Sequence, residues 1–166
     1  MILPIIFYEN SILRKKCENI DFSYSKKEII QLITNMFETV NKANGLGLSA
    51  PQIGKNIKIF ILNIPYDNNK NYEETFINAK IIKIFGKEFE FNEGCLSIPG
   101  INVPINRKSN VIIEYYNRNF KKKKKFFDGI YARVILHEYD HLNGKLLTDY
   151  VKDKKLIKKK FNYNHE

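Results

Sequence analysis

His137-Glu138-Tyr139-Asp140-His141, an H-E-x-x-H segment near the C-terminus, holds two of the chain's three histidines around a glutamate. On a helix, residues four apart stack on one face, so His137 and His141 can offer two imidazoles to a single metal ion. Glu138 sits one residue on, placed to touch a water held by that ion without being a ligand itself. The flanks permit such a helix. Gly129 to Leu136 contains no proline, Asp128 is a capping type, and Asn143-Gly144 is a stop, giving about four turns. A surface helix with two incidental histidines is the plain alternative.

Two imidazoles need at least one further ligand. Downstream, Asp149, Asp153 and His165 form no third-ligand pattern of the metallopeptidase kind. Upstream, Cys95 lies in Glu93-Gly-Cys-Leu-Ser-Ile-Pro-Gly100, a corner shaped by glycine and proline. A thiolate is a strong soft donor, and metal binding deprotonates it. A lone cysteine is more often an inert buried side chain, which is how Cys17 reads. Residue types alone leave Cys95 between these two roles.

The elements that must position these groups follow from periodicity. Ser11 to Lys16 allows a short helical turn. Ile29, Ile30, Leu32, Ile33, Met36, Phe37 and Val40 recur at helical spacing, predicting a helix from about Ser25 to Ala43 with a Ser25/Glu28 capping box. Gly45-Leu-Gly-Leu-Ser-Ala-Pro-Gln-Ile-Gly54 is too irregular for a helix and reads as accessible extended backbone followed by a turn. It lacks the Gly-Lys-Ser/Thr ending of a phosphate loop. Lys58 to Ile64 is a dense apolar strand, and Pro65 to Glu73 reads as a polar loop. Further strands are expected at Thr75–Phe85, Phe89–Glu93, Val103–Asn106, Asn110–Tyr116 and Phe120–Phe127, with a turn at Asn117-Arg118-Asn119. Lys121 to Lys125 then falls on a strand, where lysine can guard an edge. Residues 152 to 160 form a short basic helix with Leu156 and Ile157 on one face.

At 166 residues, with 43% hydrophobic and 28% charged, the chain suits one soluble domain. Two distant cysteines make no disulfide framework, and the apolar N-terminal run is neither a signal peptide nor a span. Together these point to a reducing cytoplasm. A net charge of +10 suggests a polyanionic neighbour, although a Lys-, Asn- and Ile-rich composition also raises lysine on solvated faces.

Three stretches together carry a family resemblance. Gly-Leu-Gly-Leu-Ser-Ala-Pro-Gln (45–52), Glu-Gly-Cys-Leu-Ser (93–97) and the H-E-x-x-H segment resemble peptide deformylase, in that family's order and at similar separations. The resemblance covers about residues 1 to 150 as one catalytic domain, with 151 to 166 as a basic tail. Ser49 stands where alanine is usual, Leu136 where glutamine often precedes the first histidine, and Gly100-Ile-Asn102 where some members place an arginine.

The resemblance implies an α+β fold, with antiparallel strands packed around the H-E-x-x-H helix. An N-terminal helix and a short C-terminal one complete it. It implies that Cys95, His137 and His141 ligate Fe(2+), which Zn, Ni or Co can replace. Glu138 becomes the general base and acid, with the Gln52 amide and the Leu96 N–H as oxyanion donors. Gly45, Leu46, Gly47 and Gly94 are candidate peptide contacts, and Ile130 and Val134 join Leu46 as an apolar pocket for methionine. The implied partners are formyl-methionyl nascent peptides and, through residues 152 to 160, the ribosome, with no membrane and no specific DNA. The compartment is a bacterial cytoplasm or an organelle of bacterial descent. Two other readings compete: an H-E-x-x-H metallopeptidase, and a basic ribosome-associated protein with an inactive site.

Overall fold

The apolar run around Ile61 is a strand buried on both faces, and the rest of the chain is layered about it. The structure, a computed structural model, describes residues 1–21 and 23–151. One antiparallel sheet holds five strands in chain order. They are β1 (Gly47–Ser49), β2 (Ile59–Asp67), β3 (Lys70–Cys95), β4 (Ile98–Tyr116) and β5 (Lys122–Asp128). Helices α1 (Lys26–Lys42) and α2 (Gly129–Leu142) pack against it, so the fold is the expected α+β.

Along β2, Phe60, Leu62 and Ile64 enter the core beneath α2 with Phe76, Val111 and Ile135. Ile59 and Ile61 turn the opposite way, onto Ile33, Met36 and Val40 of α1. Alternation therefore feeds two cores, which explains a run that is almost wholly apolar. A third cluster, Ile98, Ile101, Val103, Ile105 and Leu147, lies beside Cys95. Cys17 is buried, and burial pushes its thiol up to about 11, in keeping with an inert core residue.

Helix α1 starts where its sequence says it should, with the Ser25 hydroxyl accepting from the Glu28 N–H at 3.4 Å. Helix α2 starts differently. Asp128 occupies the capping position, but its side chain makes no capping bond. It is the last residue of β5, paired with Asn110, and Gly129 at φ +56° turns the strand directly into the helix. Gly144, at φ +71°, ends α2 where a Cβ would lie 2.4 Å from the Arg14 carbonyl oxygen.

Three strand assignments differ from expectation. Pro65 to Glu73 is a hairpin rather than a loop: β2 runs on to Asp67 and β3 begins at Lys70, with Asn69 in the left-handed region. Its polar composition reflects a ribbon standing in water. The two strands expected within 75–93 are one, and so are the two expected at 103–106 and 110–116, because register shifts bend the β3–β4 ribbon without ending its pairing. Gly86, at φ +91°, sits in one of those shifts. Four of the five lysines, Lys122 to Lys125, fall on β5 at the sheet's edge, and Lys121 precedes it. The basic helix expected at 152–160 lies outside the described residues. Among the described residues no helix is long and apolar enough to cross a membrane.

Candidate active site

Cys95 is the last residue of β3, and a two-residue turn at Leu96-Ser97 leads into β4, where Ile98 pairs back to it. That hairpin corner faces α2. His137 and His141 project from successive turns of α2, ring centroids 5.1 Å apart. The Cys95 Sγ lies 3.4 Å from His141 Nε2, and the three ligand atoms fall within 4.8 Å of one another. Tetrahedral coordination with bonds of about 2.1–2.3 Å sets donor atoms about 3.4–3.8 Å apart, so a small contraction would close the set on one ion. Three protein donors leave a fourth position open, as a catalytic metal site requires.

The surroundings fit a cation. Glu138 is buried, and its Oε2 has no hydrogen-bond partner, while Oε1 is 3.8 Å from His137 Nε2. Burial first, with the neighbouring Glu93 and Asp140 charges, raises the Glu138 carboxyl to about 7 against the opposing pull of His137 and Arg107. His141 is driven well below the usual imidazole range, chiefly by burial, so its ring is neutral and its lone pair available. Burial acts the same way on His137, but contacts with Cys95, Glu93 and Glu138 overcome it and favour positive charge there. The Cys95 sulfur and the Glu138 carboxylate face the same Nε2 edge of the paired imidazoles. The residues present fit a soft-to-borderline divalent metal.

Gln52 sits on a 3-10 turn (Ala50–Ile53) that follows β1. Its Oε1 accepts from the Ser49 N–H at 3.0 Å and the Ser49 hydroxyl at 3.1 Å. With the acceptor occupied, its amide nitrogen is aimed at Cys95 Sγ, 3.6 Å away, and donates to Ser97 Oγ at 3.1 Å. Ser49, the residue that departs from the family pattern, therefore adds a second clamp on Gln52.

Behind the histidines lies a buried ionic network. Glu93 Oε1 accepts from His137 Nδ1 at 3.1 Å and from Arg107 Nη2 at 2.9 Å. Its Oε2 accepts from Arg107 Nε at 2.7 Å and Arg133 Nη1 at 2.8 Å. Arg107 reaches on to Asp140 at 2.9 Å, which also accepts from the Tyr150 hydroxyl at 2.7 Å. None of these roles was read from the sequence, nor was that of Ser97. A signal for Arg107 was present: Val103, Ile105 and Arg107 alternate on the inward face of β4, so the arginine had to be buried.

A cleft of about 470 Å³ opens on this cluster. Gly45, Leu46, Gly47, Gln52, Gly94, Cys95, Leu96, Ile130, Val134, His137 and Glu138 all line it, while His141 lies beneath. β1 forms the sheet edge there. Gly47 has a reason beyond accessible backbone: a Cβ would meet Val134 Cγ1 at 2.9 Å and Glu138 Cγ at 3.1 Å. Its absence lets α2 approach β1. At Gly45 a Cβ would meet Leu96 Cδ1 and Val40 Cγ2, both at 2.9 Å. Leu46 and Ile130 stand exposed at the mouth. Gly100, Ile101 and Asn102 line the rim of the cleft, with Asn102 exposed.

Comparison with known proteins gives one answer. A family model described as polypeptide deformylase matches residues 2–156. A peptide deformylase of Karelsulcia muelleri is 54% identical over 151 residues, 90% of this chain and 78% of that protein. One from Flavobacterium psychrophilum is 45% identical over 174 aligned positions, 96% of this chain and 89% of that protein. The crystal structure of a peptide deformylase from Legionella pneumophila superposes with a TM-score of 0.89 at 31% identity. That match covers 99% of this chain and 96% of the other.

Proposed function

The chain belongs to the polypeptide deformylase family and removes the N-formyl group from nascent polypeptides; on that footing we propose which residues do the work. Cys95, His137 and His141 hold the metal on which the family depends, Fe(2+) natively, with Zn, Ni or Co able to replace it. When bound, that ion supplies Lewis acidity and acidifies a water toward neutrality.

Glu138 takes the proton from the attacking water as its oxygen bonds to the formyl carbon. The same carboxyl then delivers a proton to the amine nitrogen as the C–N bond breaks, releasing formate and a free N-terminus. A carboxyl raised to about 7 is suited to both transfers near neutral pH. Gln52 Nε2 and the Leu96 N–H donate to the oxyanion of the tetrahedral intermediate, where one donor typically contributes about 3 kcal/mol. The peptide lies along β1 as an added strand over Gly45, Leu46 and Gly47, with Gly94 opposite. Ile130, Val134 and Leu46 receive the methionine side chain. Backbone pairing reads little beyond that first side chain, which suits substrates that vary after it.

One observation carries this reading: two side chains from α2 and one from the β3–β4 corner converge with an unpaired buried carboxylate oxygen beside them. Protein purified without oxygen and loaded with Fe(2+) should release formate from formyl-Met-Ala-Ser. Glu138→Ala should abolish release while keeping the metal. Cleavage of unformylated peptides instead would favour a metallopeptidase, and no turnover with any metal would favour a binding protein. The enzyme acts in the cytoplasm, with residues 1–150 as its catalytic domain. Its basic residues 152–160 contact rRNA phosphates at the ribosome; deleting 152–166 should weaken salt-sensitive ribosome binding and spare short-peptide hydrolysis.

A further inference from the structure

The sheet face on the α1 side is bare beyond that helix. α1 packs over β1, β2 and Ile77 at the start of β3. Past Ile77 the strand register places Lys80, Glu114 and Lys124 in one row, and Lys83, Ile112 and Phe126 in the next. Tyr116 pairs with Lys122 in the row nearest α1. The alternate residues Ile113, Tyr115 and Phe127 enter the core beneath α2, so Lys122, Lys124 and Phe126 share the open face. Phe126 is 54% exposed and Tyr116 38%. Phe85 packs on Phe126 with centroids 6.0 Å apart, and the Lys83 ammonium lies 4.8 Å over the Phe85 ring. Glu114 is the acid in these rows, flanked across the strands by Lys80 and Lys124, and Asp128 lies in the next row with Asn110 and Phe85.

Lysines on an edge strand often serve only to block sheet-to-sheet aggregation. An exposed phenylalanine set among them works against that purpose, so the aromatic groups require another explanation. Cations interleaved with open aromatic faces match a single-stranded nucleic acid, whose phosphates and bases alternate along one strand. We propose that this face binds single-stranded RNA, with Lys83, Lys122 and Lys124 on phosphates and Tyr116 and Phe126 stacked on bases. The proposal goes beyond deformylation and does not depend on it.

The test uses the full metal-loaded chain and a fluorescein-labelled oligouridylate, which has no internal pairing, read by fluorescence anisotropy across a salt series. Log affinity should fall linearly with log salt. Phe126→Ala should weaken binding about tenfold, and Phe126→Tyr should restore it. Replacing Lys122 and Lys124 together by alanine should lower the salt slope by about 1.4, at ~0.7 per phosphate contact. Formate release from formyl-Met-Ala-Ser should be unchanged in each variant, which reports an intact fold. The proposal is overturned if no binding is seen at low salt. It is equally overturned if face variants bind normally while deletion of 152–166 abolishes binding, or if phosphatidylglycerol vesicles are bound and RNA is not.

Discussion

Glu93 accepts a hydrogen bond from His137 Nδ1 at 3.1 Å, which fixes the imidazole so that Nε2 faces Cys95 and Glu138. The carboxylate is itself held by Arg107 and Arg133, all three side chains being almost fully buried. An outer partner so placed sets both the tautomer and the orientation of a ligand.

Glu93→Ala should therefore lose on two counts. Arg133 would be left buried without its counter-charge and Arg107 with Asp140 alone, costing about 3–5 kcal/mol, measurable by urea unfolding. Metal affinity should fall about 10- to 100-fold by competition with a chelator. Stability loss with unchanged metal affinity would show that Glu93 supports the fold without orienting His137.

Acid should unfold this protein through the same group. Burial alone would raise the Glu93 carboxyl, but hydrogen bonds from His137, Arg107 and Arg133 hold it down at about 2, from 4.5. The folded state binds this proton less tightly than the unfolded one. Its contribution is thus complete above pH 4.5 and drains away as pH falls toward 2. Urea midpoints across that window should drop steeply in the parent and less in Glu93→Gln. Equal slopes would assign acid unfolding to other carboxylates.

Gly47→Ala tests the closeness of β1 and α2. The added methyl would meet Val134, Glu138 and the Ile61 carbonyl oxygen at 2.9–3.1 Å, and the backbone oxygen cannot yield easily. Displacing Glu138 by even a fraction of an ångström should cut kcat by about tenfold or more while the metal stays bound. Gly45→Ala meets only leucine and valine side-chain ends and should cost less in kcat.

Ser49 and Gln52 should separate in size of effect. Gln52→Leu removes the aimed amide and should lower kcat by about 10²–10³. Ser49→Ala removes the hydroxyl's bond but leaves the Ser49 N–H on Gln52 Oε1, so about 1 kcal/mol, or a few-fold in kcat, is expected. A Ser49→Ala loss as large as that of Gln52→Leu would mean that the hydroxyl alone orients the amide.

By itself the sequence determined what local periodicity and motif chemistry can carry. Helical spacing in 25–43, the i/i+4 histidines around Glu138, and the Gly–Leu–Gly and Glu–Gly–Cys segments were legible because each is encoded within a few turns or one strand. The register shifts that keep β3 and β4 continuous were not legible, since pairing energy across strands, not local propensity, decides where a strand stops. Nor were the Glu93–Arg107–Asp140–Tyr150 links, whose members are distant in the chain and gain their value only when folding removes water from between them. Cys95 is the clearest case. Its residue type allowed either an inert thiol or a ligand, and only the β3–β4 corner folding onto α2 set its sulfur 3.4 Å from His141.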